Sequence, residues 1–323
     1  MITYKLYNDN LKMWDDFVDK SINGTIFHKQ RFLQYHISRN FSNHSLMFYK
    51  KGTLIAVFPA SIENNILLSH PGASFGGIVY SKISFSDLLT ILDLIEEYAK
   101  KNNCTNISMV PTPTIYNNED ESLIYALKWK KYNEKEQYFS SIIPIQKNIN
   151  KQINNIIRNK SRSKKYYDNI IKKNDLELIW DKNFDEFYPI LKKNKKKYNA
   201  TPTHTLNELK QIDRLMPNTI KLLVVKRDGE VIGGNMIFIA QPNVGIIFYN
   251  MIDYKFSDMQ ISTIQILESI KWAYDNKIEY FDFGVSHEIG VEHPLSPKIS
   301  LIKFKEEFGG FGSIRLLFNK NIN

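Results

Sequence analysis

The chain has 323 residues, 43% hydrophobic and 13% aromatic, and a formal charge of +9. That length suits two domains, and that composition buries substantial cores, which excludes a disordered chain. A single cysteine, Cys104, excludes an internal disulfide, no apolar run is long enough for a membrane span, and the first residues lack a secretory signal's apolar segment, so the expected location is the cytoplasm.

In chain order, Trp14, Phe17 and Val18 share one face of a helix predicted over Leu11–Ser21. Asn23-Gly24-Thr25 breaks the chain, and a second amphipathic helix is expected over Gln30–Arg39. Residues 46–109 then read as strand, turn, strand, strand, helix, strand. The helix, 86–102, places Leu88, Ile91, Leu92, Ile95, Tyr98 and Ala99 at three- and four-residue spacing, with Ser86 as its expected N-cap. Thr105–Val110 is the next strand, stopped by Pro111-Thr112-Pro113, and Tyr138–Ile145 closes the first domain.

A helical, basic stretch over 150–217 comes next, in which Asp181–Lys197 reads as a surface helix with a basic end. Residues 221–283 then repeat the order of 46–109. The turns Lys50-Lys51-Gly52 and Arg227-Asp228-Gly229 correspond, and both copies carry Phe-Ser-Asp ahead of the long helix, at Phe85 and Phe256. The second long helix, Gln260–Asn276, is apolar on more than one side and is expected to lie deeper than its counterpart. Tyr280–Phe283 is a short strand running into Gly284, and Ser313–Phe318 is the last strand.

Three clusters have chemical potential. The glycine-rich turn containing His70, Ser74, Phe75, Gly76 and Gly77 serves either to cradle an anion on successive amides or to connect two strands tightly. Tyr249 and Asn250, with Asp282, Ser286 and His287, stand where strands end, the usual place for functional groups in αβ sheets. The third is Lys303-Phe304-Lys305-Glu306-Glu307-Phe308-Gly309-Gly310, where alternation would pack the phenylalanines inward, aim Lys305 at a cleft and leave Lys303 towards solvent or an acidic surface group. The histidines, among them His36, His44, His287 and His293, lack metal-ligand spacing, no Gly-x-Ser-x-Gly elbow exists, and Cys104 reads as a small buried hydrophobe, so no metal site is expected.

Together these pieces resemble the FemABX-like transferases, built from two GNAT-type acyltransferase domains. The resemblance rests on Pro71–Gly77, on Arg158-Asn159-Lys160-Ser161-Arg162-Ser163-Lys164-Lys165, on Tyr280–Gly284 and on Phe304–Gly310. It implies an α/β (α+β) fold of two tandem GNAT-like domains, 1–148 on the acceptor side and 149–323 with the basic insertion 150–217. Each would be a mixed, largely antiparallel sheet flanked by helices. The implied activity is transfer of an acyl or aminoacyl group from a co-substrate, acyl-CoA or aminoacyl-tRNA, onto an amine of a cell-envelope precursor, with no cofactor bound. Implied partners are a nucleotide- or lipid-linked sugar precursor, tRNA, and the inner membrane face.

By the same resemblance His70, Ser74, Phe75, Gly76, Gly77, Tyr249, Asn250, Ser286 and His287 would bind substrate, and Arg158, Arg162, Lys164 and Lys165 the donor. Lys305 matches the family lysine beside the reacting carbonyl, and the amine's proton goes either to Asp282 or His287 or to the substrate or water. Asp282 also reads as a cap at its strand end. The departures are specific. The coenzyme A pyrophosphate loop of ordinary GNAT enzymes is rich in glycine, whereas Ser81–Leu88 and Tyr254–Ile261 contain none. A different class, a catalytically silent module binding RNA or a protein partner, is supported by the basic middle and the missing coenzyme loop, and the basic run itself reads equally as a solvated face or a binding surface.

Overall fold

The computed structural model describes residues 1–37, 39–197, 199–288 and 296–322. The chain forms two compact units, Met1–Tyr138 with Ile314–Asn323, and Phe139–Ser313. The division therefore falls ten residues before the expected 148/149 border. The last strand counts with the first unit rather than the second, because it pairs there.

Unit one begins with β1 (Ile2–Leu6), α1 (Leu11–Lys20) and the single-turn α2 (Gln30–Leu33). The expected second helix thus stops six residues before Arg39. The chain continues through β2 (Leu46–Lys50), β3 (Thr53–Phe58), β4 (Ser61–Glu63), β5 (Ile66–Ser69), β6 (Val79–Tyr80), α3 (Phe85–Lys101), β7 (Asn106–Met109) and α4 (Ser122–Trp129). Strands β1-β2-β3-β6 form an antiparallel sheet. Strand β4 pairs antiparallel with β5, and β5 parallel with β7. The apolar stripe of α3 is buried as its spacing requires: Ile91, Leu92 and Ile95 are fully enclosed against Phe48, Ala56 and Phe58, each such side chain contributing about 1.5–3 kcal/mol. Its N-cap is Ser84 in a capping box with Asp87. Ser86 lies inside the first turn, so the expected cap is displaced by two residues.

Strand β8 (Asn133–Pro144) leads into α5 (Ile149–Asn159), α6 (Lys164–Lys173), β9 (Glu177–Asp181), α7 (Phe184–Lys196) and α8 (Leu206–Leu215). The stretch read as helical therefore also contains a strand, β9, which pairs with β10 at the border of the sheet. Then come β10 (Ile220–Arg227), β11 (Glu230–Gln241), β12 (Val244–Ile252), α9 (Ile261–Asp275), β13 (Tyr280–Val285), α10 (Ile299–Glu306) and β14 (Phe311–Asn321). In unit two β9, β10, β11 and β12 pair antiparallel in turn, β12 runs parallel to β13, and β13 antiparallel to β8. Helix α9 covers one face through Ile261, Ile264 and Leu267. Phe187 of α7 covers the other, filling the space over Gly234.

The repeat is physical as well as textual. Lys51 and Gly52 have φ of 50° and 79°, and Asp228 and Gly229 have 51° and 79°. Two successive left-handed residues make the hairpin turn whose twist matches flanking strands. A register shift comes after Phe48 in β2 and after Val225 in β10, the same place in each hairpin. Strand β14 pairs with β7, Phe318 opposite Met109 and Asn321 opposite Asn106, which places the chain's final segment in unit one.

Candidate functional site

In unit two the parallel strands β12 and β13 pair only from Val244–Ile246 to Tyr280–Asp282. Beyond that point β12 continues to Ile252 and β13 to Val285 without pairing to each other. Strand β13 also changes register against β8 between Asp282 and Val285, where Gly284 takes a φ of +66°. Asp282, fully buried, fixes this bend: its Oδ1 accepts from the Gly284 N–H at 2.6 Å and from the Ser140 hydroxyl at 2.7 Å. These are the bonds of a capping carboxylate.

The bend turns the carbonyls of Gly284 and Val285 towards one ammonium. Lys305, 5% exposed, donates to Gly284 O at 2.8 Å, Val285 O at 3.2 Å and Ser286 Oγ at 2.7 Å. Its reach comes from α10 and not from an extended, alternating segment as the sequence suggested. Ile302, Lys305 and Phe308 are all buried at three-residue spacing, and Lys303 faces solvent as expected. A buried lysine is costly unless its donors are used, and here three acceptors gather on it. His287, half-buried beside it, is held below its ordinary pKa of 6.5 by burial first and then by the Lys305 charge. Asp282, Ser286, His287 and Lys305 thus form one cluster.

Tyr249 and Asn250 stand apart from it and from each other. Strand β12 bulges at Phe248 opposite Met236–Ile237, and the next two residues point to opposite faces. Tyr249, buried, meets His204 Nδ1 through its hydroxyl at 3.1 Å, and burial pushes its pKa up to about 12. Lys195 lies over its ring at 5.7 Å, its pKa lowered by burial. Asn250 instead donates to Ser262 Oγ at 2.8 Å in the first turn of α9. His204 was not among the candidates, being a lone residue in sequence with no neighbouring motif to mark it, and Lys195 was read only as one cation of the basic end of the 181–197 helix.

In unit one the glycine-rich segment is a tight strand connection. The Gly76 N–H donates to Val110 O at 2.8 Å and the Gly77 N–H to Ser69 Oγ at 2.8 Å, so neither amide points at an anion. A Cβ at Gly76 would sit 2.0 Å from Ser69 O, which explains that glycine sterically. Phe75 is fully buried, 5.5 Å from the Phe27 ring and 5.0 Å from Tyr116. Pro71–Ser74 are half-exposed, and His70 is buried with its ring edge-on to Phe41, which meets His36 in the same way. Burial lowers the His70 pKa to about 4. A groove of about 680 Å³ between β1 and α3 holds none of the candidates, and its Lys50 is ion-paired with Asp87.

Arg158, Arg162, Lys164 and Lys165 are all exposed, at the end of α5 and the start of α6. Among the described residues no carboxylate lies within ion-pair distance of any of them. No described helix is long and apolar enough to cross a membrane, and no group of three metal-ligating side chains gathers among the described residues. Cys104 is buried, and burial raises its pKa. His293 lies outside the described residues.

Residues 160–293 match the family model described as an acetyltransferase (GNAT) domain. No curated protein is matched by sequence. Among solved structures the chain is similar to FemX, with a TM-score of 0.74 at 14% identity over 99% of this chain and 98% of that one. It is also similar to the C-terminal domain of a putative lysylphosphatidylglycerol synthetase from Agrobacterium fabrum, with a TM-score of 0.59 at 10% identity over 96% and 91%. A tandem GNAT protein from the clavulanic acid biosynthesis pathway matches with a TM-score of 0.54 at 7% identity over 100% and 99%. The fold is therefore the tandem GNAT fold that the sequence pieces resemble.

Proposed function

We infer, for a chain whose residues 160–293 match the GNAT domain model, that it transfers an acyl or aminoacyl group onto an amine of a cell-envelope precursor. The observation that carries this is the buried Lys305 ammonium, gathered on the bend of β13 where β12 and β13 part. Amine attack on an ester or thioester places negative charge on the carbonyl oxygen, and a fixed, desolvated cation stabilises that charge more than water does. The bond from Nζ to Val285 O, at 3.2 Å the longest of the three, is the one exchanged for the oxyanion. The attacking nitrogen then carries an extra proton. His287, whose neutral form is favoured by burial and by the Lys305 charge, accepts it. Asp282 serves by holding the bend, through its bonds to the Ser140 hydroxyl and the Gly284 amide. The acyl oxygen or sulfur leaves with the electron pair of the broken bond.

The exposed, unpaired cations at Arg158, Arg162, Lys164 and Lys165 favour a polyanionic donor, aminoacyl-tRNA, over coenzyme A, whose usual glycine loop is missing from Tyr254–Ile261. Likeness to FemX and to a lysylphosphatidylglycerol synthetase domain supports an envelope acceptor, an amino sugar or a peptidoglycan precursor. The test mixes purified protein with charged tRNA, or with acyl-CoAs, together with UDP-amino sugars or UDP-linked muramyl peptides, and reads products by mass spectrometry. A new amide that disappears on RNase treatment is expected. No product with either donor class would leave a binding module.

A further inference from the structure

Within the basic run that opens the GNAT domain, one cation behaves unlike its neighbours. Arg158, Arg162, Lys164 and Lys165 face solvent, while the Lys160 side chain is only 9% exposed. Its ammonium is ion-paired with Glu307, immediately after α10. It also lies 4.9 Å from the centre of the Phe304 ring and 4.4 Å from that of Phe308. Those two rings meet edge to face at 5.2 Å, and Phe308 meets Phe283 of β13 in the same way at 6.0 Å. Asn159 adds a bond to the Glu307 carbonyl at 3.4 Å. Four residues of one short segment, Phe304, Lys305, Glu307 and Phe308, are therefore held from two sides: Lys305 by the bend of β13, the other three by Lys160.

We propose that Lys160 is a positioning residue for Lys305. It clamps the last turn of α10 against β13, so that the Lys305 ammonium keeps its place over Gly284–Ser286 when one of its bonds is given to the oxyanion. Local order here depends on contacts from outside the helix. A helix of eight residues has little stability of its own in water. Cation–π contacts that are shielded from water reach about 2 kcal/mol, and the ion pair with Glu307 ties the helix end to the same ammonium. Without Lys160 the aromatic pair loses its cation, Glu307 loses its partner, and the turn carrying Lys305 loosens. Misplacement of a charge by about 1 Å costs up to about 10²-fold in rate. The inference rests on the reading of Lys305 as the charge that meets the oxyanion.

The experiment compares full-length Lys160→Met, Lys160→Arg and Lys305→Met with the parent chain. Aminoacyl-tRNA turnover is resolved into kcat and KM, and hydrogen exchange is followed on peptides covering 299–308. Lys160→Met is expected to raise exchange in that segment about tenfold and to lower kcat by roughly 10–100-fold. The KM for aminoacyl-tRNA should stay within about twofold, since the exposed cations are untouched. Lys160→Arg, which keeps both the charge and the aromatic contact, should recover most of both losses. A raised donor KM with intact kcat would overturn the proposal and make Lys160 part of the donor surface. Unchanged exchange would overturn the clamp, and raised exchange with unchanged kcat would overturn the positioning role. The exchange readout needs no turnover. If Lys305→Met is silent while Lys160→Met still loosens 299–308, the transfer reading fails and the clamp stands.

Discussion

The two copies of the repeat share a hairpin, a bulge and a long helix, and differ beyond the ends of their strands. In unit one β5 and β7 run into segments whose polar groups satisfy one another with neutral partners: Gly76 N–H with Val110 O, Gly77 N–H with Ser69 Oγ, His28 Nε2 with Gly76 O. In unit two β13 runs into a bend held by a carboxylate, with an ammonium collecting two carbonyls and a hydroxyl. The long helices differ likewise. Ser84 and Asp87 seal the start of α3 with a capping box, while α9 starts from Gln260 at a φ of 54° with no side-chain cap. One scaffold thus yields a closed strand end and a charged one, and the difference lies in a few residues beyond the last hydrogen-bonded pair.

The largest effect should come from the charge. Lys305→Met is expected to lower turnover by about 10²–10³-fold, the usual loss of one oxyanion donor, whereas exposed Lys303→Met should stay within about twofold. Equal losses in steady-state rates would break the contrast between the two lysines of α10.

Next come two glycines, one from each copy. Gly76→Ala puts a Cβ against the Ser69 backbone and should cost ~3 kcal/mol in denaturant unfolding, the upper end for overpacking. Gly284→Ala meets no atom within 4 Å and suffers only from its φ of +66°, a strain of ~1–2 kcal/mol. A reversed order in chemical denaturation would refute the steric reading of unit one's turn.

Acid should separate the units as well. Burial lowers the pKa of His28 and of His70 to about 4, and both lie in unit one. Their folded pKa values lie below the unfolded value of 6.5, so the unfolded chain binds more protons between those limits. Stability is therefore intact above pH 6.5 and is lost as pH falls towards 4, by about 2 kcal/mol per histidine at pH 5. Hydrogen exchange at pH 5 and pH 7 should show unit one loosening first. Uniform loosening would remove the histidines as the cause.

The smallest effect concerns the exposed cations of unit two. Replacing Arg158, Arg162, Lys164 and Lys165 together by Ala should weaken tRNA binding alike for all sequences, each lost phosphate contact lowering the log–log salt slope by roughly 0.7–0.9. A flat slope in the parent protein would make them a solvated face. The basic end of α7 suits this test less well: Lys193 is paired with Asp253 at 3.0 Å, and Lys195 is half-buried over Tyr249.

The repeat was legible because two-residue turns with glycine second, and an apolar stripe at helical spacing, are local signals. Asp282 was legible as a cap for the same reason, since a carboxylate two residues before Gly284 reaches that amide. Other features are set by partners distant in sequence. The alternation read into Phe304-Lys305 gives way to α10, because Ile302 and Lys305 share a buried helical face. Strand β9 is short, and its state comes from pairing with β10. Lys160 is one basic residue among many until Glu307 and two phenylalanines are seen beside it, and His204 has no marker until Tyr249 meets it.

The pairing of β14 with β7 orders events during synthesis. Residues 106–109 leave the ribosome long before 318–321, and the whole of unit two is made between them. The edge of β7 that β14 will pair must wait while roughly 200 residues are translated, ten or more seconds at ordinary elongation rates. Unit two is contiguous and has no such wait. A chain of which only residues 1–313 have left the exit tunnel should therefore still have open the edges that β14 will pair, those of β7 and β8, the species on which a chaperone or a stray strand would act.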